Sequence, residues 1–183
     1  ITRMMQEAVN DAMRAADLVR RMRDFITDGD LELEPTPLSE PIRQGVELAL
    51  VSSPLGQVDI KTQFPDDLPS VLVDRVQISL VILNLIRNAL AATEASDDPR
   101  IWIKAWRTGD SVTVSVADNG PGISTRVADT LFEPFHTSTT HGMGIGLSLC
   151  RSIIEAHAGR IWLEHGVEGA TFCFMVPISD DVI

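Results

Sequence analysis

Apolar residues recur along this chain in two rhythms, and the change between them divides it. Over residues 1–28 they return at alternating four- and three-residue steps at Met5, Val9, Ala12, Ala16 and Val19. Leu18, Met22 and Phe25 widen the stripe, and Arg14, Arg20, Arg21 and Arg23 supply polar faces. This spacing predicts one long amphipathic helix. Such a stripe needs cover, most simply from a dimer partner, otherwise from its own domain. Gly29, Pro35 and Pro37 then interrupt regular structure, so residues 1–29 read as the helix and 30–37 as a linker.

From residue 38 onward, strand and helix patterns mix. A helix opened by Ser39 runs to about Val51, and alternation over Val58–Phe64 predicts a strand. After the turn Pro65–Pro69 comes a short strand, Val71–Val73. Asp74 caps a long helix, with Gln77 placed to complete a capping box and apolar positions at Val76, Leu80, Leu83, Ile86, Leu90 and Ala91. Ile101–Trp106 and Val112–Val116, joined through Gly109-Asp110, predict an antiparallel hairpin. A glycine-rich stretch spans Gly120 to Gly146, and a helix follows to about His157, ending near Gly159. Strands Arg160–Glu164 and Thr171–Val176 close the chain. The expected fold of residues 38–183 is an α/β two-layer sandwich, helices on one face of a mixed, mainly antiparallel sheet.

Composition narrows the function. Hydrophobic residues make up 44% of the chain, enough for a sizeable core, while the apolar runs are short and broken by charge, so no membrane span or direct membrane contact is expected. The net charge of −11 excludes a general nucleic-acid or anionic-membrane binder. A phosphate ligand would need local help from a metal ion, exposed backbone or a few cations. Cys150 and Cys173 sit in apolar runs and read as buried, reduced thiols in a cytoplasmic setting. The chain opens inside a helical pattern without a signal-peptide layout and reads as a piece of a longer protein.

Four segments carry candidate chemistry. Asn84 and Asn88 share one helix face. Their amides either hydrogen-bond nearby backbone or, as neutral oxygen donors, serve a magnesium ion. In Asp118-Asn-Gly120-Pro-Gly122-Ile123, a strand ends in a carboxylate able to accept from an adenine amine, with glycines that let backbone approach the base; the same letters also make an ordinary turn. Gly142-Met-Gly144-Ile145-Gly146-Leu147-Ser148 opens a helix and offers bare N–H groups to phosphate, or is simply a flexible loop. It is neither the dinucleotide fingerprint nor a P-loop. Phe132 and Phe135 anchor a stretch of small hydroxyl residues that fits a lid. Thr171, opening the last strand, could bond the adenine edge beside Asp118. His136 and His141 read as solvated loop residues, and His157 as a partner of a helix dipole.

The order and spacing of these segments resemble the N, G1, F and G2 boxes of the histidine kinase catalytic domain, in the superfamily that includes gyrase-type ATPases. The resemblance covers about residues 38–178, and Leu85-Ile-Arg-Asn-Ala and Gly142-Met-Gly-Ile-Gly-Leu-Ser are most similar to PAS-linked nitrogen-fixation oxygen-sensor kinases. It implies the Bergerat-type ATP-binding fold, with ATP and magnesium as ligands. Asn88 would bind the metal, supported by Asn84. Asp118 would recognise adenine, with Gly120, Gly122 and Ile123 lining the base. Thr137 and Ser138 would lie in the lid, and Gly142, Gly144, Ile145, Gly146 and Leu147 would hold the phosphates. Residues 1–28, ending in Arg21-Met-Arg-Asp-Phe25, are similar to the second helix of a dimerisation and phosphoacceptor domain. The implied partners are a second copy, through that helix, and a response-regulator receiver domain. Hydrolytic members of the superfamily carry a glutamate general base one turn before the metal asparagine, where this chain has Asn84. The histidine box is absent, so the implied activity is phosphoryl transfer to a histidine outside this chain. Thr139 stands where related lids often carry lysine, and Ala91 where a cation or carboxylate is common, which leaves a nucleotide-binding pseudokinase as the alternative.

Overall fold

The structure, a computed structural model, describes residues 31–52, 58–128, 130–134, 145–164 and 169–179. The chain divides into two compact units, Ile1–Leu31 and Glu32–Ile183. The helix expected over residues 1–28 lies outside the described residues. In the second unit the elements are β1 (Glu34–Thr36), α1 (Ser39–Ser52), β2 (Asp59–Gln63), β3 (Val71–Val73), α2 (Arg75–Thr93), β4 (Arg100–Thr108) and β5 (Ser111–Asp118). A short α3 (Thr125–Ala128), α4 (Gly146–Ala156), β6 (Arg160–Glu164) and β7 (Thr171–Pro177) complete it.

Five strands form one sheet in the order β2-β4-β5-β7-β6. Only the β2–β4 pair is parallel, so the sheet is mixed and mainly antiparallel. Strand alternation sends Ile101, Ile103 and Ala105 of β4, Val112, Val114 and Val116 of β5, and Phe172, Phe174 and Val176 of β7 to one buried face. α2 and α4 pack on this face, and α1 packs on α2. Ile78, Val81, Ile82, Leu85 and Ile86 of α2 and Ile153 and Ile154 of α4 are fully buried. Each such side chain stabilises the fold by roughly 1.5–3 kcal/mol. Gly45 lets α1 approach closely, since a Cβ there would stand 2.6 Å from Ile82 Cγ2.

The structure departs from the sequence expectations in five places. Glu34–Thr36, inside the segment read as a linker, is a strand paired antiparallel with β3. Its proline is tolerated because a two-stranded edge leaves one side of the strand without a ladder. The buried side of α2 runs through Ile78, Val81, Ile82, Leu85, Ile86, Ala89, Leu90 and Thr93, whereas Val76 is 79% exposed. The helix is apolar almost all round, so periodicity alone does not select its inner face. The capping box is only half made. Asp74 Oδ1 accepts from Val76 N–H at 3.0 Å and Gln77 N–H at 3.1 Å, while the Asp74 N–H donates to His157 Nε2 at 3.0 Å. α2 is also long and apolar enough to cross a membrane, contrary to the impression of short apolar runs. Its apolar side is instead covered by the sheet, α1 and α4. Finally, the left-handed residue ending α4 is Ala158 (φ 53°) and not Gly159, whose Cα lies so near the Met175 carbonyl that a Cβ would come within 2.2 Å of its oxygen.

Candidate functional site

The site is laid out along one side of α2. Asn84, Asn88 and Ala92 are spaced four residues apart and so lie on one line, about 12 Å from first to last at about 1.5 Å rise per residue. Each end of the line meets a different loop. At one end Asn84 faces the start of α4: a Cβ on Gly146 would stand 2.9 Å from Asn84 Oδ1. At the other end the Ala92 carbonyl oxygen would lie 2.7 Å from a Cβ on Gly120. The same Cβ would lie 2.9 Å from Asp118 Oδ1, so the strand-end carboxylate and the end of α2 adjoin.

The two asparagines differ in what they do. Asn84 Nδ2 donates to the Leu80 carbonyl at 3.2 Å, back along its own helix. Asn88 is half-buried, and its amide makes no hydrogen bond among the described residues. It stands between Gly146 and Asp118, where a bound group could use it.

Asp118 is 4% exposed at the end of β5. Its Oδ1 accepts from Gly120 N–H at 2.9 Å and Ala170 N–H at 3.3 Å. No hydrogen bond to Oδ2 is made by any described residue, so that oxygen is left to accept from a ligand. Burial pushes the carboxyl above its ordinary pKa, and the two amides pull it part of the way back. Two glycines pack at this corner. Gly169 (φ 65°) presses so tightly on the Asp118 backbone that a Cβ would overlap its carbonyl oxygen and stand 3.1 Å from Oδ1, and Gly122 (φ 74°) abuts the Gly169 carbonyl. Ile123 is half-buried just beyond.

At the other end Ile145 occupies the N-cap of α4 with no side-chain capping bond. The first-turn amides of Gly146, Leu147 and Ser148 are therefore open to an anion or to water. Ser148 Oγ donates to the Ile145 carbonyl at 2.9 Å and steadies this turn. Gly142, Gly144, Thr137 and Ser138 lie outside the described residues. The segment before them is anchored by Leu131, buried, and by Phe132, edge-on to Phe172 with ring centroids 6.4 Å apart.

Thr171 does not join this group. It pairs with Ala117, and strand alternation puts both on the sheet face opposite Asp118. The residue beside the carboxylate is Ala170, through its backbone N–H. The expected neighbour, Thr171, differs from the observed one by a single position, and one position along a strand exchanges the faces. Three contributors were missed from sequence: the Ala170 amide, Gly169, and Asn119. Asn119 accepts from Arg100 N–H and donates to the Asp98 carbonyl, both at 2.8 Å, pinning the loop to the start of β4. A glycine just before a strand was the available signal for Gly169. A backbone amide leaves none.

A two-layer sandwich that places an amide unpaired among the described residues, a strand-end carboxylate and an uncapped helix N-terminus along one helix has the layout of a nucleotide-binding domain. The profile of the family described as histidine kinase-, DNA gyrase B-, and HSP90-like ATPase matches residues 73–180, and the chain belongs to this family of ATP-binding domains. It is 38% identical to the sensor protein FixL of Bradyrhizobium diazoefficiens over 179 residues, which cover 97% of this chain and 35% of FixL. The chain thus spans about a third of that relative's length. Among solved structures, the catalytic domain of histidine kinase ThkA is 34% identical with a TM-score of 0.73, covering 80% of this chain and 96% of that one. A complex of ThkA with the response regulator protein TrrA is 28% identical with a TM-score of 0.73, covering 93% of this chain and 49% of that one.

Proposed function

We propose that this chain is the ATP-binding catalytic region of a cytoplasmic two-component sensor histidine kinase, which transfers the γ-phosphate of ATP to a histidine outside this chain for relay to a response regulator. The observation that carries the proposal is the position of Asn88, an amide with no hydrogen-bond partner among the described residues, between the Asp118–Gly120 corner and the open first turn of α4. Adenine would donate its amine to Asp118 Oδ2, and the phosphates would lie over Gly146 and Leu147. The donor set suits magnesium, which takes oxygen ligands and keeps waters and phosphate oxygens in its shell. No group of three or more His, Cys, Asp or Glu among the described residues could hold a metal, so Asn88 and the phosphates would share it. Bound there, the metal would neutralise phosphate charge.

Asn84 supports transfer over hydrolysis. An amide cannot take a proton from water, and this one is engaged with the Leu80 carbonyl. The site would hold ATP until a histidine arrives, and catalysis would rest on positioning and charge neutralisation. In the whole protein residues 1–28 would supply the dimer helix and a receiver domain would be the downstream partner; the FixL and ThkA–TrrA likenesses support this reading.

The test is incubation of a longer chain, carrying the phosphoacceptor helix, with radioactive ATP. The expected product is a protein-bound label that is acid-labile and base-stable, as phosphohistidine is. Nucleotide binding with no label would establish the pseudokinase alternative, and phosphate release with no label would establish a hydrolase.

A further inference from the structure

His157 lies outside the nucleotide site, yet it is 4% exposed and both ring nitrogens are engaged. Nδ1 is 2.7 Å from the Ile153 carbonyl, which can only accept, so Nδ1 carries the hydrogen. Nε2 is 3.0 Å from the Asp74 N–H, which can only donate, so Nε2 offers its lone pair. The imidazole therefore ties the C-terminal end of α4 to the N-cap of α2. That N-cap amide would otherwise be a part-buried donor without an acceptor.

This tie is one end of a seam. α2 and α4 run antiparallel: His157 meets Asp74, Cys150 Sγ lies 3.9 Å from the Val81 carbonyl, and Gly146 abuts Asn84. From Asp74 to Asn84 is about 15 Å of helix and from Gly146 to His157 about 17 Å, so the two spans match. A shift of α4 along α2 would break the histidine bridge and move the open first turn of α4 away from Asn84 and Asn88 together. The Asp118 corner stands on β5, β7 and the opposite end of α2, and does not depend on the seam.

We propose that His157 is a positioning residue for the phosphate half of the nucleotide site, setting the register of α4 on α2. This rests on the nucleotide-binding reading of that site. Glutamine is the conservative replacement, because its amide oxygen reaches where Nε2 stands and can accept from the Asp74 N–H.

The experiment measures binding of magnesium–ATP and of adenosine to the chain and to its His157→Ala and His157→Gln variants by calorimetry, below their melting temperatures. Adenosine probes the base corner alone. In His157→Ala, ATP affinity should fall roughly tenfold, the effect of about one hydrogen bond, with adenosine affinity unchanged. His157→Gln should recover most of the loss. If His157→Ala does not fold, a normal ATP-to-adenosine affinity ratio in His157→Gln supports the bridge, and a collapsed ratio overturns it. Parallel losses of both ligands, or a lowered melting temperature with both affinities intact, would show a merely structural histidine and overturn the proposal alone. Failure of the unmodified chain to bind either ligand would remove the nucleotide reading and this proposal with it.

Discussion

Replacing Asp118 by asparagine should separate ligand recognition from stability. Oδ1 receives two N–H donors, from Gly120 and Ala170, so the asparagine must turn its carbonyl oxygen toward them. Its NH2 group then occupies the place of Oδ2. A site that accepted a hydrogen bond from the adenine amine now presents a donor to it. Losing a bond to a charged acceptor and leaving a buried donor unpaired costs about 3 kcal/mol, or ~100-fold in affinity. The same NH2 can donate to the carbonyl of guanine, so the preference for ATP over GTP should narrow. Stability should move the other way. The folded pKa of Asp118 is raised above 3.8, chiefly by burial, so its contribution to stability is full below that pH and is lost as pH rises through the folded value. At neutral pH the ligand-free Asp118→Asn chain should melt no lower than the unmodified one, and its advantage should shrink as pH falls toward 4. Calorimetric titration with both nucleotides and thermal melts between pH 4 and 8 measure this. Undiminished ATP affinity in the variant would refute the orientation of the carboxylate and the adenine contact with it.

Other outcomes follow from the same geometry. Asn88→Ala should abolish the magnesium dependence of ATP binding while sparing adenosine, measured by titration with and without the metal; unchanged magnesium-dependent affinity would remove the metal assignment. Gly169→Ala should cost several kcal/mol in denaturant unfolding, because a Cβ would overlap the Asp118 carbonyl oxygen and the residue would keep a positive φ. Ile86→Ala, fully buried where α2 faces Gly45 of α1, should cost about 2–5 kcal/mol in the same assay without changing the ATP-to-adenosine affinity ratio. Burial pushes the pKa of both cysteine thiols up to about 12, helped at Cys173 by the Glu164 carboxylate. Neither thiol should react with a disulfide reagent at pH 8 until the chain unfolds, which a colorimetric assay in native buffer and in denaturant would show.

The strands and helices were legible because each keeps its own period. β4 and β5 alternate, Gly109-Asp110 is a two-residue turn with Gly109 at φ 60°, and α1, α2 and α4 begin where Ser39, Asp74 and Gly146 suggest. Asn88 and Asp118 could be singled out because an amide on an apolar helix and a carboxylate ending an apolar strand both demand partners. What could not be read was which neighbour answers each demand. The register of β7 on β5 decides that Ala170 and not Thr171 stands beside Asp118, and that pairing is nonlocal. Likewise the acceptor for the Asp74 N–H lies 83 residues away on another helix, so local capping rules assigned it to Gln77. α2 shows a third case: its line through Val76, Leu80, Asn84 and Asn88 is apolar enough to pass for core, yet it leads along the open side of the helix.

The small β1–β3 sheet has a consequence for how this domain can be built into larger chains. β3 is flanked on one side by β1 and on the other by Ile178, which is bridged to Val71. Residues early and late in this unit, at β1 and Ile178, are therefore about two strand spacings apart, roughly 10 Å. A domain with such adjacent gateposts can be spliced into a host loop or reordered by circular permutation without stretching either junction. Tension drawn through both points would load the β1–β3 pair and the Val71–Ile178 bridge ahead of the nucleotide pocket.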